Sequence, residues 1–276
     1  MTSDTPQREK RQPNPLAARL TKRAGCLAGN AAATAGVLLG PLTSWLVLRQ
    51  TTLGYSITPF FLNIIALVLT LGGTLSLPIF VTYVAVNLTV SYAHSLEYPA
   101  LCVTSLPSSE IVKGYVLAAL RYCRAPILLM VGLMPAFTMW LTPLLTPWLY
   151  FPSASYSPMM AQTALGTFGI VLKWSLIILG CGVGLFGINL MAIALGVGFG
   201  LWWRSTAPAA AAALAVTIGT TLTATFGAHR LAIALNIPDL FLQHILQYVF
   251  FAPFPYLIAF GCMRLAQRWA RKQDAR

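Results

Sequence analysis

Long apolar runs separated by short polar connectors make up most of this chain, and they predict a bundle of membrane-spanning helices. A hydrocarbon layer about 30 Å thick needs about 20 apolar residues in helical conformation. The predicted spans cover residues 26–48, 60–93, 125–141, 177–203, 209–228 and 247–263. We therefore expect an all-α integral membrane protein, in which residues 14–276 form one transmembrane domain after a disordered basic tail at 1–13.

Composition supports this assignment. The chain has 276 residues, of which 57% are hydrophobic and only 9% are charged. Soluble domains carry about 25% charged residues. The apolar residues of this chain far exceed what one soluble core can bury, so a soluble fold is excluded.

The net charge of +12 is concentrated near the two ends of the chain. Both clusters flank apolar runs, which is typical of cytoplasmic segments and not of a nucleic-acid surface. We therefore expect six spans with both termini in the cytoplasm, in the plasma (inner) membrane, and no nucleic-acid partner. Membrane lipid is the partner that such clusters would attract. The clusters consist of Arg8, Lys10, Arg11, Arg19, Lys22 and Arg23, and of Arg264, Arg268, Arg271, Lys272 and Arg276.

Other segments complete the predicted topology. Residues 14–24 begin with Asn-Pro and place leucines at helical spacing among basic residues, which predicts an amphipathic helix on the inner membrane surface. The polar and apolar mixture at 229–246 predicts short outer helices that re-enter the membrane before the last span. The apolar run 159–203 is too long for one straight span, at about 65 Å. Two spans there would place the C-terminal basic cluster outside, so we expect a separate outer or partly inserted helix carrying Lys173 before the fourth span. The alternative is that residues 159–176 belong to the fourth span.

The segment 95–124 interrupts the apolar rhythm with a compact polar block that contains Glu97 and Glu110. Pro107-Ser108-Ser109-Glu110 predicts a helix start, in which Ser108 or Ser109 caps the helix and Glu110 suits the positive end of its dipole. Such a block is either a plain cytoplasmic loop or a docking surface. We favour docking, through an apolar face made of Leu96, Ala100, Leu101 and Val103.

Recognisable catalytic motifs are absent from the sequence. It contains no GxxxxGK[ST], no HExxH and no GxSxG, and its three histidines are scattered. The five cysteines lie far apart, and we expect free thiols that serve as small apolar residues. We therefore expect no enzyme activity, metal or cofactor in this chain. Asn63, Lys173 and Asn189 are candidates for a substrate path, although an intramembrane asparagine also commonly bonds a neighbouring helix.

The polar block and the span pattern together resemble the permease subunits of ABC transporters of the type-2, exporter-like family. The local similarity covers about residues 94–120. Lys113 precedes Gly114 where that family often has Gly before Lys, and His94 and Tyr98-Pro99 replace its usual Arg and Gly-Thr. The residues that carry the resemblance are Glu97, Leu101, Thr104-Ser105-Leu106-Pro107-Ser108-Ser109, Glu110-Ile111-Val112 and Lys113-Gly114.

The resemblance implies the membrane-spanning subunit of an ATP-driven exporter, paired with a second permease copy or homologue. The segment 95–114 would couple it to a separate cytosolic ATPase subunit, and ATP and Mg would bind that partner. The alternative is a non-catalytic structural subunit of a larger membrane protein complex. The residues implied in ATPase coupling are Glu97, Leu101, Thr104, Ser105, Leu106, Pro107, Glu110 and Lys113.

The predicted topology can be tested by cysteine labelling in a background that lacks the native cysteines. Thr5→Cys and Asp274→Cys should react with a membrane-impermeant maleimide from the cytoplasmic side, because basic flanks stay inside. Ser56→Cys, in the predicted first outer loop, is the control and should react from the opposite side. Labelling of positions 5 and 274 from opposite sides would contradict the even number of spans.

Overall fold

A computed structural model gives the fold of the chain. It describes residues 72–93, 107–134, 166–203, 205–235 and 252–274, together with the single positions 34, 35, 38, 42 and 68. Within this part, the chain is helical apart from short turns and contains no strand, which confirms the all-helical class. The helices are α1 (Gly73–Ala93), α2 (Ser108–Tyr122), α3 (Arg124–Met134), α4 (Gly166–Trp202), α5 (Thr206–Ala234) and α6 (Pro253–Asp274).

In the described ranges, three helices are long and apolar enough to cross a membrane. These stretches are Leu75–Ala93, Ser175–Trp202 and Thr206–Ala228. The bent pair α2 and α3 would make a fourth if it counts as one span. A helical protein with several candidate spans is therefore confirmed, whereas six spans with cytoplasmic termini stay a prediction. The predicted interfacial helix at 14–24 lies outside the described residues.

One predicted outer helix is corrected by the structure. The separate helix carrying Lys173 is wrong, because α4 is one continuous helix from Gly166 to Trp202. A break inside lipid would leave backbone N–H and C=O groups without partners. Of the outer helices predicted at 229–246, residues 229–234 continue α5, and residues 236–246 lie outside the described part of the chain.

One predicted span has different bounds in the structure, and another is described only in part. The sixth, 247–263, contains the start of α6 at Pro253, and α6 then continues through the C-terminal basic cluster to Asp274. Proline is tolerated in the first turn, where its missing N–H has no intrahelical acceptor. The third, 125–141, begins with α3, which follows α2 after the single turn residue Cys123, and residues 135–141 lie outside the described part.

Helix α4 lies at the centre of the described bundle, because it packs against α1, α2, α5 and α6. Two clusters of buried side chains form around it. The larger cluster joins α1, α2, α3, α4 and α6, and the smaller joins α1, α4, α5 and α6. The other helices are therefore positioned largely by their contacts with α4.

The contact between α1 and α4 depends on two glycines at helical spacing. A Cβ atom on Gly196 would lie 2.9 Å from the Ala85 Cβ and 3.0 Å from the Thr82 carbonyl oxygen. A Cβ atom on Gly200 would lie 2.9 Å from the Thr89 Cβ. Small residues let helix backbones approach closely, and such packing drives helix association in lipid. The two helices are therefore in near-backbone contact.

A third glycine determines the contact between α4 and α6. A Cβ atom on Gly187 would lie 2.7 Å from the Tyr256 Cε2 atom and 3.2 Å from the Pro255 Cβ. The Tyr256 hydroxyl donates a hydrogen bond of 2.9 Å to the Val183 carbonyl oxygen. The tyrosine ring thus occupies the space left by the glycine, and its polar end bonds the helix one turn away.

The glycine contact predicts opposite effects of the same substitution at two positions of α4. Alanine favours a helix over glycine by about 1 kcal/mol. Gly198→Ala should therefore keep or raise thermal stability, since its Cβ would meet nothing within 4 Å. Gly196→Ala should lower stability, because overpacking against Ala85 and the Thr82 carbonyl costs about 1–3 kcal/mol. Thermal unfolding of both variants in the same detergent measures their stabilities. Equal stabilities would contradict the close contact between α1 and α4.

Candidate coupling site

The polar block leads into α2, which begins at Ser108 as the sequence predicts. Pro107 occupies the N-cap position in extended conformation, and its carbonyl oxygen accepts a 2.8 Å hydrogen bond from the Glu110 N–H. Glu110 lies in the first turn, where a negative charge is favourable. Pro107, and not Ser108 or Ser109, is therefore the N-cap residue. The ring of Pro107 fixes its own φ at −64°, so the backbone is held in the conformation that precedes the helix although no side chain caps it.

Most of α2 is buried inside the bundle. Ile111, Val112 and Tyr115 are fully or almost fully buried. The helix contacts α1, α4 and α6. This burial is not a property of a surface loop, and it follows from the apolar residues that recur every three or four positions along α2. A displacement of α2 must therefore displace or repack three other helices.

One narrow face of α2 remains accessible, and we call it the exposed strip: Glu110, Lys113, Leu117 and Arg121. Lys113 donates from Nζ to Glu110 Oε1 over 3.1 Å, and their side chains are 54% and 39% exposed. An ion pair this exposed contributes at most about 1 kcal/mol. Glu110, one of the residues implied in ATPase coupling, is thus already paired with Lys113 within the chain.

The structure brings together three of the predicted coupling residues at the start of α2. Pro107 ends the connector, and Glu110 and Lys113 occupy the next two turns on the accessible side. The rest lie outside the described residues, as does Asn63. Those residues are Glu97, Leu101, Thr104, Ser105 and Leu106, together with Leu96, Ala100 and Val103 of the predicted apolar face.

Asn189, a candidate for the substrate path, lies in a packed contact between α4 and α3. Its side chain is fully buried. Nδ2 donates to the Leu185 carbonyl oxygen over 2.8 Å and lies 3.9 Å from Met130 Sδ, while buried Oδ1 has no hydrogen-bond partner in the described part. This geometry fits the alternative that Asn189 bonds a neighbouring helix. Lys173 lies on α4, and its side chain is outside the description.

The sequence analysis missed a 61° bend between α2 and α3. Cys123 forms the turn, with φ −88° and ψ 6°, and its N–H still donates to the Ala119 carbonyl oxygen over 2.9 Å. Pro126 is the signal that could have found it. A proline cannot donate to the carbonyl four residues earlier, here that of Tyr122, and its ring clashes with that carbonyl in a straight helix.

The described residues contain no group of three or more His, Cys, Asp or Glu side chains that could hold a metal ion. Cys123 and Cys181 are buried free thiols, and Cys262 is a partly buried one. The exposed strip therefore offers groups suited to contact with another molecule. These are the Glu110–Lys113 ion pair, the apolar side chain of Leu117 and the cation of Arg121.

Comparison with known proteins gave no match: no protein-family model, no curated protein and no solved structure is similar to this chain. The resemblance to ABC permeases therefore rests on the residues named above.

The orientation of α2 predicts different outcomes for one substitution at two positions. Val112→Asp should prevent accumulation of folded protein, because a buried unpaired carboxylate costs several kcal/mol. Leu117→Asp should be tolerated, since Leu117 is 42% exposed and its new carboxylate would lie one turn from both Lys113 and Arg121. Fluorescence-detected size-exclusion chromatography of tagged variants measures the folded amount. An equal loss of folded protein in both variants would show that the exposed strip is in fact buried.

Proposed function

We propose that this chain is the membrane-spanning permease subunit of an ATP-driven exporter. Residues 95–114 would couple it to a separate cytosolic ATPase subunit that binds ATP and Mg. The observation that carries the proposal is the placement of α2. Glu110 and Lys113 are accessible in its first two turns, shortly after the polar block in the sequence, while most of the helix is buried against α1, α4 and α6.

This arrangement supports transmission of force from a partner to the bundle. A packed core repacks between discrete arrangements and does not deform continuously. A partner that pushes on the start of α2 would therefore move the helices that contact it. Because α3 follows α2 after the Cys123 turn, the same push would reach α3 directly. The resulting motion would open and close a path for substrate through the membrane.

The binding energy of the coupling contact should come from its apolar residues. A buried apolar anchor at the centre of an interface contributes about 2 kcal/mol or more, whereas rim charges contribute little. Leu101, in the polar block, is the proposed anchor. Glu110 belongs to the rim, because its carboxylate is accessible and already paired with Lys113.

Pairing with a second permease copy is supported by an exposed row of small residues that winds along α5. These residues recur every four positions: Ala207, Ala211, Ala215, Gly219, Thr223 and Gly227. A Cβ atom on Gly219 or Gly227 would meet nothing within 4 Å. The same kind of face on α4, at Gly196 and Gly200, packs against α1 within the chain. This surface would also serve the alternative, a structural subunit of a larger membrane complex.

Association with the ATPase is the measurement that separates the two functions. The tagged full-length chain is purified from its native membranes, and co-purifying proteins are identified by mass spectrometry and assayed for ATP hydrolysis. We expect a subunit that carries GxxxxGK[ST]. Leu101→Arg should abolish its association, because a charge replaces the anchor. Glu110→Gln should weaken association less than about fivefold, as expected for a rim charge.

Both variants should reach the membrane in wild-type amounts, since both positions lie outside the predicted spans. Wild-type amounts provide the folding control for each pull-down. An intact complex with Leu101→Arg would overturn the proposed docking site. Complete absence of an ATPase from the wild-type complex would overturn the transporter function and favour the structural subunit.

A further inference from the structure

The middle of α6 carries apolar side chains and cations on one exposed face. Leu257, Phe260, Arg264 and Arg268 follow one another at spacings of three or four residues, and all are exposed. Residues at this spacing share one face of a helix. The face is apolar towards the start of α6 and cationic towards its end, so it has the polarity of a lipid molecule.

Arg264 is turned towards the apolar part of this face. Its guanidinium carbon lies 4.4 Å from the centroid of the Phe260 ring, one turn closer to the helix start. Helical side chains lean towards the N-terminus, and the cation–π contact holds the guanidinium in that direction. The charge is therefore held near the apolar zone, where a cation needs a compensating anion.

The described part of the chain does not supply that anion. Glu110 is the one acidic residue whose side chain the structure describes, and it pairs with Lys113 on α2 and not with Arg264 or Arg268. Helix α6 contains one acidic residue, Asp274, at its last position. The two arginines are thus exposed cations that can bind an anion from outside the chain.

Aromatic rings lie beside these arginines. Trp269 follows Arg268 directly, and its ring centroid lies 6.3 Å from that of Trp202 at the end of α4. Trp202 stacks on Phe199 at 6.2 Å and on Trp203 at 5.9 Å. Tryptophans concentrate where a membrane meets water, because one part of the ring is apolar and its N–H is polar. In a membrane, this aromatic group would place Arg264 and Arg268 near the boundary between acyl chains and headgroups.

We propose that this face of α6 binds an anionic phospholipid. The headgroup phosphate pairs with Arg264 and Arg268, and one acyl chain lies along Leu257 and Phe260. Gly261 leaves room for the chain, since a Cβ atom there would meet nothing within 4 Å. The apolar stripe favours a lipid over free phosphate, which would use only the arginines. The inference goes beyond the proposed function and does not depend on an ATPase.

Native mass spectrometry of the purified full-length chain tests the proposal, with phosphatidylglycerol and phosphatidylcholine titrated separately. The wild-type chain should retain phosphatidylglycerol preferentially. The double variant Arg264→Gln, Arg268→Gln should bind it about tenfold or more weakly, with unchanged binding of phosphatidylcholine. Phe260→Leu keeps both charges and should weaken binding about twofold to fivefold, because it removes the ring that orients Arg264.

The control is Arg124→Gln, Arg230→Gln, which removes the same charge from two exposed positions on other helices. It should bind phosphatidylglycerol like the wild type. Equal loss in the control would overturn the site and leave only attraction by net charge. The proposal would also be overturned if inorganic phosphate, at the same concentration as the lipid, displaced phosphatidylglycerol completely. The acyl chain would then contribute nothing to the binding affinity. Equal thermal stability of all variants excludes misfolding as the cause of any loss.

Discussion

The near-backbone contact between α1 and α4 is the interaction on which the described bundle depends. In lipid, apolar surface alone does not drive helices together, so close packing must supply the association energy. Gly196 and Gly200 allow it by removing side chains where Thr82, Ala85 and Thr89 approach. With one side of α4 held by α1, its remaining surface contacts α2, α5 and α6. The central position of α4 is thus a consequence of small residues at a few positions.

Hydroxyl groups in these contacts are satisfied inside their own helices. Thr82, Thr89 and Thr217 each donate to the carbonyl oxygen four residues earlier, over 2.7, 2.8 and 2.7 Å. They can therefore lie in dry interfaces without a cross-helix partner. Asn189 differs, because its Oδ1 is buried without a partner and its amide faces the flexible thioether of Met130. The polar pairing across the α3–α4 contact is thus weak, and adaptable methionine packing suits rearrangement.

This difference bears on the proposed coupling. Helix α2 is tightly buried, whereas α3, which follows it after the Cys123 turn, packs on α4 partly through methionines. A push on α2 would thus meet rigid packing around itself and adaptable packing at α3. Helix α6 opposes such motion from the other side, because Tyr256 bonds the α4 backbone at Val183 and the end of α6 carries the proposed lipid site. A lipid held there would anchor one edge of the bundle to the membrane surface.

The sequence by itself determined the helical membrane class and the start of α2 at Ser108. It also predicted spans at 60–93, 177–203 and 209–228, which overlap the apolar helices at 75–93, 175–202 and 206–228. These features depend on local hydropathy and on the residues next to a helix end. Only the tertiary structure decided that α4 is continuous, that α2 is buried, and that Gly196 tolerates no side chain while Gly198 meets nothing. Each of these outcomes depends on atoms contributed by helices distant in sequence. Two glycines two residues apart look alike along the chain, and they differ because only one of them faces α1.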